Sequence, residues 1–474
     1  MGKPKGDGAE YGILPVRKMH RRKNGYQVKK MHRRKNGYRV KKMDQKNSKQ
    51  QKKMKQQKKF NNSLEVEKET EKIHTVMTTV DPHGSKEDLL FALYPFGQMI
   101  EKSGVVAFPT ETVYGLGASA LDPAGIEKIF AAKGRPSDNP LIVHITRMEE
   151  VFELVQSVPE KAIKLMEAFW PGPLTMIFKK RDIIPHIVTA GGDTVALRMP
   201  DHPVAKALIE ISGVPLVAPS ANASGKPSPT RAEHVWEDLE GKIHGIIDGG
   251  SCAVGIESTV IDMTVEPPML LRPGGITQKM IREVIGPIRR DQHLDVIDRG
   301  QSSKASGDFP GKVRSPGMKY THYAPKAKVL ILRGKRKNVL NRVKELEKSY
   351  RESGEKVGII TVDENLEYYE GVYGKSSAAK TKPVDTEKNS ESGTTVSREK
   401  GFPEGPCIRT LGSEKRVEKM AANLFAILRD FDQTDVGIIL AEALEDREIG
   451  YAIMNRLSKA AGQNILYVDE EDRS

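Results

Sequence analysis

Short apolar runs of strand length alternate with amphipathic helical stretches from about residue 86 onwards. Because a helix that follows a strand can cover one face of a sheet, this alternation predicts an α/β protein. The longest apolar runs, such as VGIIL and PLIVHI, are strand-sized, and none approaches the roughly 20 residues that cross a membrane. The 474 residues are enough for two or three such domains, and no membrane partner is expected.

The first predicted domain covers residues 86–287. Helices are predicted at 86–104 and 123–133, the second with a proline at its start. The segment TETVYGLG (110–117) is predicted as a glycine-bearing loop. The predicted strands are 104–109, 140–145, 174–179, 194–199, 215–219, 258–263 and 268–273.

A second, smaller α/β domain is predicted at residues 326–474, after a Gly- and Ser-rich linker at 288–325. Its strands and helices alternate so regularly that they favour a Rossmann-like parallel sheet. No G-x-G-x-x-G sequence follows the first strand, so a dinucleotide is not expected there. Residues 371–402 are rich in Ser, Lys, Thr and Glu and are predicted as a disordered insertion. The predicted strands and helices are 327–334, 336–352, 356–363, 406–412, 416–433, 435–444 and 451–462.

Residues 1–85 are predicted as a disordered basic tail. Within it, a twelve-residue sequence occurs twice in tandem, at 18–29 and 30–41. Residues 1–59 carry a net charge of +19 and the rest of the chain −6, which together give the formal +13. This tail could hold RNA through phosphate contacts. The alternative is a recent duplication without a role, or an upstream stretch that does not belong to the protein, with Met77 as the working start.

The two cysteines, Cys252 and Cys407, lie far apart in the sequence and cannot form a Cys-rich metal site. No apolar segment follows the basic N-terminus, so no secretory signal is expected. Together these features favour a cytoplasmic protein without structural zinc.

Four polar clusters in the first domain follow predicted strands or helices, at 109–117, 133–140, 219–230 and 255–260. Loops beyond strand ends commonly hold ligands in α/β domains. The clusters and neighbouring strands supply hydroxyl and amide groups together with the cations Lys133, Arg135, Arg198 and Arg272. No Ser-His-Asp, H-E-x-x-H or Walker pattern accompanies them. The donor groups and positive charge therefore favour an anionic ligand with phosphate or carboxylate groups.

These clusters contain motifs that resemble the YrdC family in sequence and order. The motifs are FPTETVYGLG (108–117), AAKGRPSDNPL (131–141), FWPGPLT (169–175), VALRMPDHP (195–203), APSANASGKPSPT (218–230), ESTVID (257–262) and LLRPGG (270–275). SPGMKYTHYAPKAKV (315–329) and IMNRLSKAA (453–461) resemble the two-domain members. The resemblance covers residues 86 to about 470 apart from the insertion.

The resemblance implies a fold and an activity. The expected fold is a YrdC-like twisted α/β sheet with a concave basic face, followed by the Rossmann-like domain. The expected reaction joins L-threonine, bicarbonate and ATP into threonylcarbamoyl-AMP and releases pyrophosphate, with Mg²⁺ carried on ATP. The product would pass to a threonylcarbamoyl transferase that modifies the adenosine next to the anticodon in tRNAs reading codons that start with A.

The resemblance also implies roles for individual residues. Lys133 and Arg135 are expected to be catalytic. Threonine is expected to contact Thr112, His144, Arg198, Ser220 and Ser258. ATP is expected to contact Arg135, Asn139, Thr194, Asn222, Thr230, Arg272 and Tyr323. No residue is expected to bind a metal directly.

Several alternatives remain open from the residues alone. The protein could be a non-catalytic RNA-binding protein, although thin aromatic content and an acidic body argue against it. His144 could be an ordinary core histidine, and Glu111 could brace a loop or act as a base. Residues 315–325 could form a lid over the nucleotide or simply tether the second domain.

Overall fold

The computed structural model describes residues 73–292, 294, 323–374 and 405–469. Most of the predicted tail, linker and insertion lie outside these ranges, so the disorder expected there stays a prediction. The residues described from 73 onwards belong to one compact unit. Over the same ranges, no helix is long and apolar enough to span a membrane.

The first domain is built on one mixed sheet of eleven strands. In space the strands follow the order β1-β8-β2-β3-β7-β4-β6-β5-β9-β10-β11. Their bounds are β1 Val76–Thr79, β2 Val106–Phe108, β3 Gly115–Ser119, β4 Ile142–His144, β5 Leu174–Lys179, β6 Thr194–Arg198, β7 Leu216–Val217, β8 Gly245–Asp248, β9 Thr259–Asp262, β10 Met269–Arg272 and β11 Arg289–Arg290. This large twisted sheet confirms the predicted fold class.

Among the described residues of this domain, seven helices with fully described bounds accompany the sheet. Their bounds are α1 Lys86–Glu101, α2 Pro123–Lys133, α3 Glu149–Leu154, α4 Glu160–Phe169, α5 Pro203–Ser212, α6 Ala232–Leu239 and α7 Gln278–Ile285. Helix α2 shows how local sequence sets these bounds: Asp122 accepts hydrogen bonds from the backbone at its start, and Gly134 ends it in the left-handed conformation with φ +59°.

The strands place alternate residues on opposite faces of the sheet. In β4 and β6, Val143 and Leu197 join the largest apolar core, whereas Ile142 and Ala196 join a separate cluster. The two strands are parallel and in register, so that His144 lies beside Arg198 at their carboxyl ends. The sheet therefore brings these two polar residues together at one edge.

The second domain contains a five-stranded sheet in the order β14-β13-β15-β12-β16, and every adjacent pair is parallel. This parallel α/β sheet confirms the predicted Rossmann-like arrangement. The strands are β12 Lys328–Arg333, β13 Val357–Thr361, β14 Cys407–Thr410, β15 Ile438–Glu442 and β16 Ile465–Tyr467. The helices are α8 Arg336–Glu352, α9 Asp363–Tyr373, α10 Val417–Asp432 and α11 Glu448–Ala460.

The structure revises the limits of the predicted tail and insertion. Strand β1 lies inside the predicted tail, residues 1–85, and pairs with β8. The pattern missed it because its sequence, VMTT, is mostly exposed and has no continuous apolar run. Helix α9 likewise extends to Tyr373, so the first residues of the predicted insertion at 371–402 are helical.

Strand β3 corrects the prediction of a loop at 110–117. Its glycines allow close packing of a strand instead of a turn. A Cβ at Gly117 would lie 2.7 Å from Cε1 of Phe108 on the neighbouring strand β2, which is too close for a side chain. Glycine therefore lets the Phe108 ring cover the strand.

The two domains share a continuous interface. Val113 and Ile256 of the first domain belong to the same apolar core as Phe425 of α10. Two buried ion pairs also cross this interface, Arg429–Asp238 at 2.9 Å and Arg456–Glu257 at 2.8 Å. The second domain thus packs directly against loops that contain the predicted site residues.

Candidate active site

A pocket at the strand ends of the first domain collects most of the predicted site residues. Nine of them line it: Thr112, Arg135, His144, Arg198, Ser220, Asn222, Ser258, Arg272 and Tyr323. They come from distant parts of the sequence, and the register of the sheet brings them together. The residues predicted to bind threonine and most of those predicted to bind ATP therefore share one cavity.

Arg198 is held in the pocket by an acidic partner. Its Nη2 lies 2.7 Å from Oε1 of Glu111, and both side chains are almost fully buried. Its Nε also donates a hydrogen bond to the Gly172 carbonyl. Glu111 thus braces an arginine of the site, the structural role that the sequence had left open beside that of a base.

Arg272 is anchored in the pocket by Ser258. Its Nε donates to the Ser258 carbonyl at 2.9 Å, and its Nη2 donates to the Ser258 hydroxyl at 3.1 Å. That hydroxyl also lies 2.7 Å from the hydroxyl of Thr175. Burial lowers the pKa of Arg272 to about 10, which still leaves it protonated at neutral pH. A buried, charged guanidinium of this kind is well suited to bind an anion.

His144 lines the pocket as a neutral imidazole. Burial and the nearby charge of Arg198 lower its pKa to about 3. Its Nδ1 lies 3.2 Å from the Ile142 carbonyl, which assigns the proton to Nδ1. Nε2 is then an acceptor. His144 can therefore receive a hydrogen bond from a ligand hydroxyl or amino group.

Lys133 contacts the pocket wall from behind and is not among the residues that line the pocket. The side chain is 4% exposed, and its ammonium donates to the carbonyls of Ser220 and Asn222 at 2.5 and 2.6 Å. Burial, together with Arg135, holds the pKa of Lys133 well below its ordinary value. The geometry is that of a residue that positions the loop at 220–222, and its catalytic role stays a prediction.

The loop at 220–222 is further fixed by its own side chains. The Ser220 hydroxyl donates to Oδ1 of Asn222 at 2.6 Å. The Asn222 amide in turn donates to the carbonyls of Ala223 and Lys226. Ser220 and Asn222 therefore present a preformed wall to the pocket.

Three residues that were predicted to bind ATP lie outside the pocket wall. Asn139 is buried, and its carbonyl accepts a hydrogen bond from Arg135 at 3.4 Å. Thr194 begins β6, whereas Arg198 ends that strand at the pocket. Thr230 is buried, and its backbone N–H donates to Nδ1 of His234. Their contacts with ATP stay predictions.

Tyr323 belongs to the short described end of the predicted lid and lies between the domains. Its ring centroid is 5.1 Å from that of Phe425, and the next residue, Ala324, donates to the Gly225 carbonyl. Burial and the nearby Glu257 carboxylate raise the pKa of Tyr323 to about 12. Residues 315–322 lie outside the described residues, so the choice between a lid and a tether stays a prediction.

Glu257 is a pocket residue to which the sequence analysis gave no role. Its carboxylate accepts hydrogen bonds from Ser228 at 2.5 Å and from Arg456 at 2.8 Å. Burial alone would raise its pKa, but Arg456 and Arg272 hold that pKa at about 2. Glu257 belongs to GIESTV (255–260) and Arg456 to IMNRLSKAA (453–461). Nothing in either motif indicates that these two residues contact each other.

The pocket favours a ligand that carries several negative charges. Arg135, Lys226, Arg198 and Arg272 line it, while Glu257 is the one carboxylate among its described lining residues. Over the described ranges, no group of three or more His, Cys, Asp or Glu side chains could hold a metal ion. This composition matches the anion-binding site predicted from the polar clusters.

Two family models match the chain in succession. The Sua5/YciO/YrdC model, described as telomere recombination, matches residues 98–274. The model of the threonylcarbamoyl-AMP synthase C-terminal domain matches residues 276–462. Together they cover both domains of the structure.

Individual relatives match over nearly their full length. The chain is 45% identical to threonylcarbamoyl-AMP synthase of Pyrococcus abyssi over 78% of this chain and 94% of the relative. It is 38% identical to the Schizosaccharomyces pombe threonylcarbamoyl-AMP synthase over 75% and 84%. The crystal structure of P. abyssi Sua5 complexed with L-threonine matches with a TM-score of 0.67 and 42% identity over 84% of this chain and 99% of that one. The chain therefore belongs to the two-domain threonylcarbamoyl-AMP synthase family.

Proposed function

We propose that this chain joins L-threonine, bicarbonate and ATP into threonylcarbamoyl-AMP and releases pyrophosphate. The observation that carries the proposal is the convergence of Arg135, Arg198 and Arg272 on one pocket, beside hydroxyl groups and a neutral histidine. A relative of this family with the same two domains has been crystallised with L-threonine. These features favour an enzyme over the non-catalytic RNA-binding protein that the sequence alone left open.

The proposed threonine site lies around Arg198. A guanidinium can bind the α-carboxylate in a forked geometry. Nε2 of His144 accepts a hydrogen bond from the amino acid, and the hydroxyls of Thr112 and Ser258 complete the set of polar groups in reach of a small ligand. Because His144 is neutral, it can accept this hydrogen bond, and it adds no positive charge that would repel the threonine amine.

The proposed phosphate site lies around Arg135 and Arg272. Threonine's free amine attacks the carbon of bicarbonate and water leaves, which gives a carbamate. A carbamate oxygen then forms a bond to the α-phosphorus of ATP while the bond from that phosphorus to the β-phosphate oxygen breaks. Both reactants are anions, so the two arginines would offset their repulsion and align the attack.

The reaction is proposed to use ATP with bound Mg²⁺. Glu257, the one carboxylate among the described residues that line the pocket, is already paired with Arg456, so it is poorly suited to bind a resident cation. An ion held by the phosphates and water fits this donor set better, since Mg²⁺ commonly reaches enzymes in that form. The ion would enter with the substrate and neutralise phosphate charge.

The product is proposed to serve tRNA modification in the cytoplasm, through a threonylcarbamoyl transferase that consumes the mixed anhydride. Contact between tRNA and the basic residues 1–59 stays a prediction, as does the alternative that these residues have no role.

Pyrophosphate release separates the enzyme from the RNA-binding alternative. We expect release from ATP to require both L-threonine and bicarbonate. The Arg272→Gln variant, which lacks one pocket cation, should bind ATP weakly, whereas Arg282→Gln on the outer helix α7 should behave as wild type. RNA retention without substrate-dependent release would contradict the proposal.

A further inference from the structure

Helix α11 carries the motif IMNRLSKAA, to which neither the sequence nor the proposed function has given a role. Arg456, within this motif, is fully buried and has the largest side chain among the fully buried described residues. A charged side chain is seldom buried in this way unless partners satisfy it. Its partners therefore indicate what the second domain does.

Most of those partners are in the first domain. Nε of Arg456 donates to the Glu257 carboxylate at 2.8 Å, and Nη2 donates to the Glu257 carbonyl at 3.1 Å. Nη1 donates to the Pro273 carbonyl at 2.8 Å and to the side chain of Asn455 at 3.2 Å. All three guanidinium nitrogens thus donate across the domain interface, and Nη1 makes one further bond within α11.

The two residues that Arg456 binds adjoin the anion-binding groups of the pocket. Glu257 precedes Ser258, and Pro273 follows Arg272. Ser258 and Arg272 are themselves joined by two hydrogen bonds. One side chain of the second domain consequently fixes both chain segments that form this side of the site.

Charge gives Arg456 a second effect. Glu257 interacts electrostatically with Arg272 as well as with Arg456. Without Arg456, the negative charge of Glu257 would offset the positive charge of Arg272. It would also repel an anionic substrate. With Arg456 in place, its guanidinium neutralises the Glu257 carboxylate. The positive charge of Arg272 then remains available to the ligand.

We propose that Arg456 is a positioning residue for the synthesis reaction, through which the second domain completes the substrate pocket of the first. It neutralises and orients Glu257 so that Arg272 and Ser258 can bind anionic substrates. This inference rests on the proposed function, and it assigns to the second domain a direct part in substrate binding.

The tight packing around Glu257 supports a fixed geometry. A Cβ at Gly255 would lie 2.3 Å from the Ala422 Cα of helix α10, so the loop before Glu257 can approach the second domain only with glycine there. Lys459 and Tyr323 are the other titratable groups that face this cluster, beside Arg272 and Arg456. Burial, with Arg456 and Arg272, lowers the pKa of Lys459 to about 7.

The test compares wild type, Arg456→Gln, Glu257→Gln and the double variant, by kcat/KM for ATP from pH 6 to 9 and by direct ATP binding. Arg456→Gln should lower kcat/KM by about 100-fold near pH 8, because it leaves a buried carboxylate uncompensated. The loss should be smaller at low pH, where that carboxylate takes up a proton.

The double variant distinguishes a charge effect from simple loss of structure. With no carboxylate to neutralise, Arg456→Gln combined with Glu257→Gln should recover about tenfold or more of the lost activity, and its activity relative to wild type should no longer rise at low pH. Lys459 is present in all four proteins, so its titration affects all of them. A pH effect that disappears when Glu257 is replaced therefore belongs to the Glu257 carboxylate. If Arg456→Gln alone proves insoluble, the double variant and Glu257→Gln must both bind ATP close to the wild-type affinity.

Tyr451→Ala is the matched control at the same interface. Tyr451 is also on α11 and accepts a hydrogen bond from Arg290 of the first domain at 2.5 Å, but it does not line the pocket. It should keep near-normal kcat/KM at every pH. Equal losses in Tyr451→Ala and Arg456→Gln, or no recovery in the double variant, would overturn the inference. Absence of product from the wild type would instead contradict the proposed function, while ATP binding would still report on Arg456.

Discussion

The three arginines of the pocket are held in different ways. Arg198 forms an ion pair with Glu111, and Arg272 is hydrogen-bonded to Ser258. Arg135 is half-buried, and its Nη2 donates to the carbonyl of Pro140 at 3.1 Å. Arg198 and Arg272 therefore provide a rigid part of the site, whereas Arg135 stands nearer to solvent.

Substitution of Arg135 tests whether shape or only charge matters at this position. Arg135→Lys keeps the charge but loses the planar, forked donor, so we expect it to lose most of the activity while the protein stays folded. Steady-state rates and thermal unfolding measure the two effects. Arg147→Lys, at an exposed ion pair with Glu150, is the control and should have no effect. Near-normal rates in a folded Arg135→Lys protein would exclude a forked phosphate contact.

Buried histidines make the stability of the fold sensitive to acid. Burial, with Arg429 and Arg231, lowers the pKa of His234 from 6.5 to about 3. Between about pH 3 and pH 6.5, the unfolded chain therefore binds a proton on His234 that the folded chain does not bind. The stabilising contribution is complete above about pH 6.5 and is lost as the pH falls toward 3, by up to about 1.4 kcal/mol per pH unit for each such histidine.

His234→Asn tests this linkage, because Asn retains an acceptor for the Thr230 N–H but cannot titrate. Urea unfolding at pH 7.5, 6 and 5 should show a shallower loss of stability in the variant than in wild type. Parallel pH profiles for the two proteins would show that His234 takes up its proton in the folded state as well.

Nine of the residues that the sequence motifs singled out line one pocket, but the motifs did not give every orientation. In the motif AAKGRPSDNPL, Lys133 and Arg135 flank Gly134, which ends helix α2 between them, so the two side chains have different surroundings. The burial of Lys133 against the loop at 220–222 depends on packing of segments almost ninety residues apart. Local sequence carries no signal for such a contact.

At the scale of elements, apolar periodicity predicted strands and helices whose interiors are buried. Helix α2 and strand β5 have the bounds that the sequence predicts. Edge strand β1 escaped prediction because an edge needs few apolar residues. Strand β3 escaped because glycine is usually a turn residue, and its packing role at Phe108 becomes evident only in three dimensions.

The position of β1 changes the expectation for shortened chains. Met77 lies inside this strand, and the Thr75 hydroxyl before it donates to the Ile243 carbonyl and accepts from the Gly241 N–H. A chain that starts at residue 73 should fold and synthesise the product normally. One that starts at Met77 should be less stable by about 1–3 kcal/mol, since it loses buried hydrogen bonds.

Denaturant unfolding and synthesis rates of the two shortened chains check this prediction. Both should bind polyanions less tightly than the full chain at low salt, because both lack the basic segment. Equal stability of the two chains would mean that residues 73–76, including the Thr75 hydrogen bonds, contribute nothing to stability. Loss of synthesis in the longer chain would assign the tail to the enzyme.

At the scale of the whole molecule, the active site depends on both domains. The alternation of strands and helices predicts each domain separately. It does not predict that Arg456 reaches Glu257, because the two residues are 199 positions apart and each is ordinary in its own motif. The buried charge pair is what connects the second domain to the chemistry of the first.

The central claim is that one pocket unites threonine, bicarbonate and ATP. Mass spectrometry of the reaction mixture tests it most directly, with ¹³C-labelled bicarbonate to trace the carbamate carbon. We expect threonylcarbamoyl-AMP that carries the label, formed only when all three substrates are present and strongly reduced in Arg272→Gln. Pyrophosphate release without a labelled adenylate, or an adenylate that forms without bicarbonate, would contradict the account.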